Sequence, residues 1–259
     1  MFDVGTSIIK GGRNYQDDSY FITDPYATET AFTKLNSLLL CLADGVGGEA
    51  AGSVASKIVC QTAVEHIQKS VDPGASIENV PELLTAVLPL IKKNFRRTLK
   101  ENQHYKGMAT TMLMCFVECN HLYWLSVGDS RLVLVRNGKL HALNADHSYG
   151  VHLDALAAKG EITAARAKQS TERHYLLSYV DGGAIKKLDL PQKPTELQVN
   201  DVLLLATDGV NSLSNKEIRG ILKAPAEAQT LAEELTESIL AKHINYQDNS
   251  TVIVVKMIN

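Results

Sequence analysis

Long apolar runs are missing from this sequence. The longest, such as residues 38–43, fall far short of the roughly 20 residues a membrane-spanning helix needs. Residues 1–13 lack the continuous apolar core of a secretory leader. No membrane partner is expected, and the expected location is the cytoplasm. Basic charge is not in excess either: a net charge of -3 and a pI near 6.2 remove the attraction that non-specific nucleic-acid binding needs. Cysteine is sparse. Cys41, Cys60, Cys115 and Cys119 lie scattered in apolar stretches, without the histidines and spacing of a zinc site, and read as buried thiols. No repeat, low-complexity tract or proline-rich linker divides the chain, so residues 1–259 are expected to form one domain. What is present is ordinary for a folded protein, with 45% hydrophobic and 21% charged residues.

Short β-type runs fall at residues 19–22, 37–43, 110–117, 122–127, 131–135, 202–206 and 251–255. Asn137-Gly138 is a two-residue hairpin signal, because both residues tolerate positive φ. Helical spacing marks residues 52–68 and 81–101, and Pro89 is expected to bend or split the second by removing a backbone donor and crowding the preceding turn. A late helix is expected over 226–243 and one or two short ones over 154–168. Hairpin-connected strands between helical blocks predict antiparallel sheets covered by helices.

The acids fall at strand ends. Asp44 and Asp208 trail strands, Asp18 and Asp248 lead them, and Asp129 lies in the tight Gly128-Asp129-Ser130 connection. In antiparallel sheets the end of one strand lies beside the start of its neighbour, so this pattern can gather the carboxylates on one edge. Oxygen-only ligands suit hard cations such as Mg²⁺ or Mn²⁺, and without cations such a cluster would repel itself. Asp-Gly is also a common turn dipeptide, and Asp181-Gly182 reads as that alone.

Taken in order, Arg13-Asn14-Tyr15-Gln16-Asp17-Asp18, Ala43-Asp44-Gly45-Val46-Gly47-Gly48, Ala109-Thr110-Thr111, Gly128-Asp129-Ser130-Arg131, Asp146-His147-Ser148, Ala206-Thr207-Asp208-Gly209-Val210 and Asp248-Asn249-Ser250-Thr251 closely resemble the protein phosphatase 2C family in its bacterial form. The resemblance runs from Arg13 to Thr251. It implies an α+β fold, an αββα sandwich of two antiparallel sheets flanked by helices, with a small flap over about 146–183 beside a metal cleft.

It also implies roles. Asp44 resembles the carboxylate that bridges two metal ions, and the Gly45 carbonyl a backbone ligand to one of them. Asp208 and Asp248 resemble ligands of the other ion. Asp17 and Asp18 match the acidic pair of the first motif, holding metal ions or their waters. Asp129 with Asp208 resembles a weaker third metal site, though Asp129 reads equally as a turn cap. Arg13 is similar to the arginine that grips substrate phosphate, a role its planar fork of donors suits. Gly47, Gly48 and Gly52 would allow close packing near the metals, while Thr110, Thr111 and His147 read as structural. Val46 stands where some relatives carry a histidine that protonates the leaving alcohol.

The implied activity is hydrolysis of phosphoserine and phosphothreonine in proteins by a water that two Mg²⁺ or Mn²⁺ ions activate, with no covalent intermediate. Phosphoprotein substrates and a Ser/Thr kinase are the implied partners. Two other readings are a module that binds phosphorylated partners without turnover and a two-metal phosphoesterase acting on small molecules; retention of Asp44, Asp208 and Asp248 favours the protein phosphatase.

Overall fold

The computed structural model describes residues 1–23, 37–47, 50–71 and 79–259. Two five-stranded antiparallel sheets are present. The first has the order β1 (Phe2–Ile9), β12 (Ser250–Met257), β11 (Val202–Ala206), β8 (Arg131–Arg136), β9 (Lys139–Ala142). The second has the order β10 (Thr195–Glu196), β7 (His121–Val127), β6 (Met112–Glu118), β3 (Ser37–Ala43), β2 (Ser19–Ile22). A short ribbon pairs β4 (Gly45–Val46) with β5 (Ala109–Thr110). Helices are α1 (Ala51–Ser70), α2 (Val80–Thr85), α3 (Val87–Glu101), α4 (Tyr149–Ala158), α5 (Ala164–Gln169), α6 (Asn215–Leu222) and α7 (Ala228–Leu240).

Alternation along β3 explains why the sequence reads there as an unbroken apolar run. Leu38, Leu40 and Leu42 pack between the sheets against Leu113, Trp124, Leu132, Leu203 and Ile253. Leu39, Cys41 and Ala43 point the other way, under α1 and α3 with Ala55, Val59, Ile91 and Phe95. Both faces are covered, so no position along the strand tolerates a polar residue facing water. A third apolar layer lies on the outer face of the first sheet, where Val133, Leu204, Val252 and Val254 meet Ile218, Leu231 and Leu235 of α6 and α7. Burial of each large side chain contributes about 1.5–3 kcal/mol relative to exposure. The result is the expected αββα sandwich.

Several local expectations are refined. The 81–101 helix is divided at Ala86, three residues before Pro89. Pro89 cannot donate to the Thr85 carbonyl and its ring crowds that oxygen, so the first helix ends at Thr85, the i−4 position. Cys119 is exposed, not buried: it sits just past the end of β6 in the turn to β7, with φ of 47°. Strand β1, which the sequence analysis did not predict, lies antiparallel to β12 and carries an irregular burial pattern. Asn137 and Gly138, at φ of 51° and 69°, form the predicted β8–β9 turn. Gly48 lies outside the described residues. Among the described residues no helix is long and apolar enough to cross a membrane.

Candidate metal and phosphate cleft

Antiparallel pairing brings the acids to one rim. Ser19 pairs with Ala43, Ala206 with both Arg131 and Val252, and Met112 with Val127, so the residues flanking these positions emerge on the same side of the sandwich. There a cleft of about 840 Å³ is lined by Arg13, Asp17, Asp44, Gly45, Asp129, Asp208 and Asp248. Asp18 alone of the predicted site residues does not line it. This residue is buried directly beneath, and its Oδ2 accepts hydrogen bonds from Thr207 Oγ1 at 2.9 Å and Thr251 Oγ1 at 2.7 Å. Thr251 lies in β12 and Thr207 directly follows β11 of the first sheet, while Asp18 leads into the second, so the carboxylate fastens one sheet to the other.

Backbone placement of Asp44 depends on two threonines. Thr111 Oγ1 accepts from the Asp44 N–H at 2.9 Å, and Thr110 Oγ1 donates to the Asp44 carbonyl at 2.8 Å. Thr111 is in turn bonded to Ser130, beside Asp129, at 2.8 Å. Beyond Asp44, a Cβ on Gly45 would lie 2.2 Å from the Gly52 carbonyl oxygen and 2.5 Å from the Asp17 carbonyl oxygen. Only glycine allows β4 to run this close to the first turn of α1. His147 is structural as expected: it is buried, and its Nδ1 accepts from the Gly128 N–H at 3.2 Å, which fixes the loop that carries Asp129.

Asn249 carries no local signal for a role at the site. Its Oδ1 accepts from the Asp17 N–H at 2.8 Å, and its Nδ2 donates to the carbonyls of Lys10 at 2.7 Å and Tyr15 at 3.0 Å. It therefore holds the Arg13 loop against the strand that Asp248 precedes. Arg13 itself is exposed at the rim and ion-paired with Asp248. Across the cleft the 146–183 segment contributes His174, Tyr175, Leu176, Tyr179 and Asp181. The segment is stitched internally by a two-pronged Arg173–Asp154 pair at 2.8 and 2.7 Å and joins the sheet region through a Thr110–Val180 bridge. Asp181 does make the predicted turn, accepting from the Gly183 N–H at 2.8 Å, yet it also faces the cleft. No periodic or dipeptide signal marks His174 or the tyrosines.

Electrostatics bear out how close the acids are. Burial first, then repulsion from Asp18, Asp208, Asp129 and Asp248, pushes the Asp44 carboxyl well above the usual carboxylate range. Asp208 is raised by burial and by Asp248, against a partly offsetting hydrogen bond with Asp44. Burial raises Asp129 to about 8, helped by Asp208 and Asp146. Asp18 rises to about 7, mainly through burial, while its two threonine hydroxyls hold it back. Asp17 is raised by burial, and a Ser53 backbone hydrogen bond and Arg13 moderate it.

Such an arrangement is costly without cations. Two carboxylate oxygens, Asp17 Oδ1 and Asp18 Oδ1, are buried with no hydrogen-bond partner. Among the described residues, no three acidic, histidine or cysteine side chains are drawn together tightly enough to form a closed cage. A ring of oxygen donors held somewhat apart suits Mg²⁺ or Mn²⁺, which retain several waters between themselves and the protein. The donor set fits hard divalent ions and lacks the nitrogen and sulfur ligands of zinc.

Comparison with known proteins agrees with this geometry. The protein is similar to the protein phosphatase PhpP of Streptococcus pneumoniae, at 28% identity over 221 residues and 85% of each chain. The crystal structure of the Mycobacterium tuberculosis serine/threonine phosphatase PstP/Ppp superposes with a TM-score of 0.79 at 27% identity, covering 100% of this chain and 99% of the other. The catalytic domain of the serine/threonine protein phosphatase PstP in complex with two manganese ions superposes with a TM-score of 0.76 at 26% identity, covering 100% and 99%. The family description Protein phosphatase 2C matches residues 4–245, and with nearly the whole chain so matched, the protein belongs to the protein phosphatase 2C family.

Proposed function

We propose that the protein is a metal-dependent Ser/Thr phosphatase that hydrolyses phosphoserine and phosphothreonine in protein substrates by direct attack of water. One observation carries this: acids from both sheets converge on a single rim, with two buried carboxylate oxygens left without protein partners. Asp44, Asp208, Asp248 and the Gly45 carbonyl would hold two Mg²⁺ or Mn²⁺ ions, Asp17 and Asp18 would hold them directly or through water, and Asp129 with Asp208 would serve a weaker third. When bound, the ions supply a lowered pKa for water and positive charge opposite the phosphoryl oxygens.

The chain's own groups do the rest. Arg13 is the phosphate clamp; its guanidinium, now turned to Asp248, presents a planar fork to phosphoryl oxygens at the open rim. Asp18, locked through Oδ2 by Thr207 and Thr251, has Oδ1 left over for a cation, whose charge would offset the burial that favours its proton. The oxygen of water forms the new bond to phosphorus and releases a proton to solvent, and the serine or threonine oxygen leaves with the bonding pair and takes up a proton. Val46 supplies no proton. His174, an imidazole lining the cleft, is the proposed donor to the leaving oxygen. We further propose that residues 146–183 act as a flap within a single domain, and that a Ser/Thr kinase in the cytoplasm generates the phosphoproteins consumed.

The test is hydrolysis of p-nitrophenyl phosphate and of phosphoserine and phosphothreonine peptides after chelation and after Mn²⁺ is restored. Peptide turnover that depends on Mn²⁺ and exceeds that of nucleotides and sugar phosphates is expected. Binding without turnover, or turnover of small phosphates alone, would overturn the proposal.

A further inference from the structure

The chain is acidic overall, with a net charge of -3, yet α3 carries Lys92, Lys93, Arg96, Arg97 and Lys100 against one acid, Glu101. Among the described residues none of these cations is in an ion pair. The helix buries Val87, Ile91 and Phe95, which fixes the direction of every other position on it. Pro89, Lys92, Arg96 and Leu99 then follow one another at three- and four-residue steps on a neighbouring face. Leu99 lines the cleft of the candidate site. Pro89 and Lys92, two turns earlier, line a separate groove of about 300 Å³ with Leu88, Gly182 and Ile185. Asp181 lines both spaces. By helical spacing Arg96 sits between them, and the path from Lys92 to Leu99 is about 10 Å. Lys93 and Lys100 flank this ridge, whereas Arg97 is turned further to solvent.

A surface helix often carries a solvated charge run, but solvation alone does not account for this placement. The like charges lie on a face that starts at an apolar groove and ends at the proposed phosphate cleft, in a protein whose other charge is mainly negative. From this continuity and charge complementarity we infer that the Lys92–Arg96 face of α3 is a docking surface for an acidic or second phosphorylated residue flanking the phosphoserine or phosphothreonine being hydrolysed. The inference rests on the phosphatase reading and adds to it a substrate preference. Peptide carboxylates or phosphates a few residues from the scissile group would reach the two cations, while an adjacent apolar side chain would occupy the groove between Leu88 and Ile185. Exposed charges act chiefly on encounter and on KM, so the effect belongs in kcat/KM and weakens with salt.

The experiment compares two phosphothreonine peptides of the same core, one with acidic and one with neutral flanks, together with p-nitrophenyl phosphate, all with Mn²⁺. The wild-type enzyme is expected to favour the acidic peptide by about tenfold in kcat/KM at low salt. The double variant Lys92→Glu/Arg96→Glu is expected to lose that preference through KM, and Lys92→Ala/Arg96→Ala to lose most of it. Both should keep aryl phosphate turnover, which also reports that they fold. No preference in the wild type, or a preference that survives both variants, would overturn the inference. So would a parallel loss of aryl phosphate turnover, which would place these residues in the fold or the cleft. If the variants change only binding to duplex DNA or anionic vesicles, the face serves another partner and the inference fails. Were the wild type to cleave aryl phosphate and neither peptide, both this inference and the protein phosphatase reading would fall; a deficit confined to the acidic-peptide preference would leave that reading standing.

Discussion

Removing divalent ions should make the protein lose stability as the pH rises from 6.5 to 8. In the metal-free fold Asp18 titrates at about 7 and Asp129 at about 8, and Asp44 lies well above the ordinary value of 3.8. Unfolded, all three ionise near pH 4. The folded state therefore holds more protons than the unfolded state across this range, and stability present at lower pH is lost as pH climbs through the folded values. Each excess proton costs about 1.4 kcal/mol per pH unit. Asp18 and Asp129 together carry a little over one excess proton on average across these 1.5 units, a loss of about 2.5 kcal/mol, or about 7 °C in Tm for a chain of this size, and Asp44 acts in the same direction. The lower limit of 6.5 is deliberate. Burial lowers the His147 imidazole, so the unfolded chain takes up a proton there below about 6.5, and this histidine favours the folded state as pH rises. Thermal melts in EDTA and in millimolar Mn²⁺ make the comparison. With Mn²⁺ the ions require ionised carboxylates, so the slope should flatten or reverse. A metal-free Tm that stays level or rises between pH 6.5 and 8 would refute the reasoning, as would the same fall with Mn²⁺ present.

Asp208→Asn and Asp248→Asn are each expected to lower phosphopeptide turnover about a hundredfold or more, and wild-type rates at saturating Mn²⁺ would remove those residues from the mechanism. Arg136→Ala strands Asp201, which is 2% exposed at its side chain and receives Arg136 Nε at 2.9 Å; a loss of about 3 kcal/mol in urea unfolding is expected, with metal affinity unchanged. Thr111→Val removes the acceptor for the Asp44 N–H and should cost about 1–3 kcal/mol in stability while also weakening Mn²⁺ binding measured by calorimetry. His174→Gln should slow hydrolysis of phosphoserine peptides and spare p-nitrophenyl phosphate, whose phenolate leaves without a proton; equal loss on both would exclude the proposed donor role.

The sandwich was legible because its inner strands are buried on both faces, which makes β3 and β11 continuous apolar runs with clear ends. The acids were legible for a related reason: each stands where such a run stops, and antiparallel pairing turns strand ends into a shared rim. What escaped notice has no local signature. Residues 2–9 hold Gly5 and a mixed pattern, and they become strand β1 only because β12 and α7 lie alongside. His174 and Tyr175 reach the cleft through the path of the 146–183 segment, which tertiary bonds such as Arg173–Asp154 determine. Asp181-Gly182 was rightly read as a turn, but only the assembled structure shows that the turn also borders the cleft. The role of Asn249 depends on carbonyls more than two hundred positions away, a distance at which spacing carries no information.

The hydroxyl pair on Asp18 helps set how the two leaves of the sandwich lie along one another. Sliding one leaf past the other by a single residue would strand both threonine hydroxyls and a buried carboxylate at the acidic rim, and at the far end it would also break the Arg136 bond to the Glu196 carbonyl, which ties β8 to β10 at 2.8 Å. Both margins of the sandwich are thus pinned by side chains reaching from one leaf to the other, so the spacing of the acids is set by the register of the leaves as well as by their apolar filling.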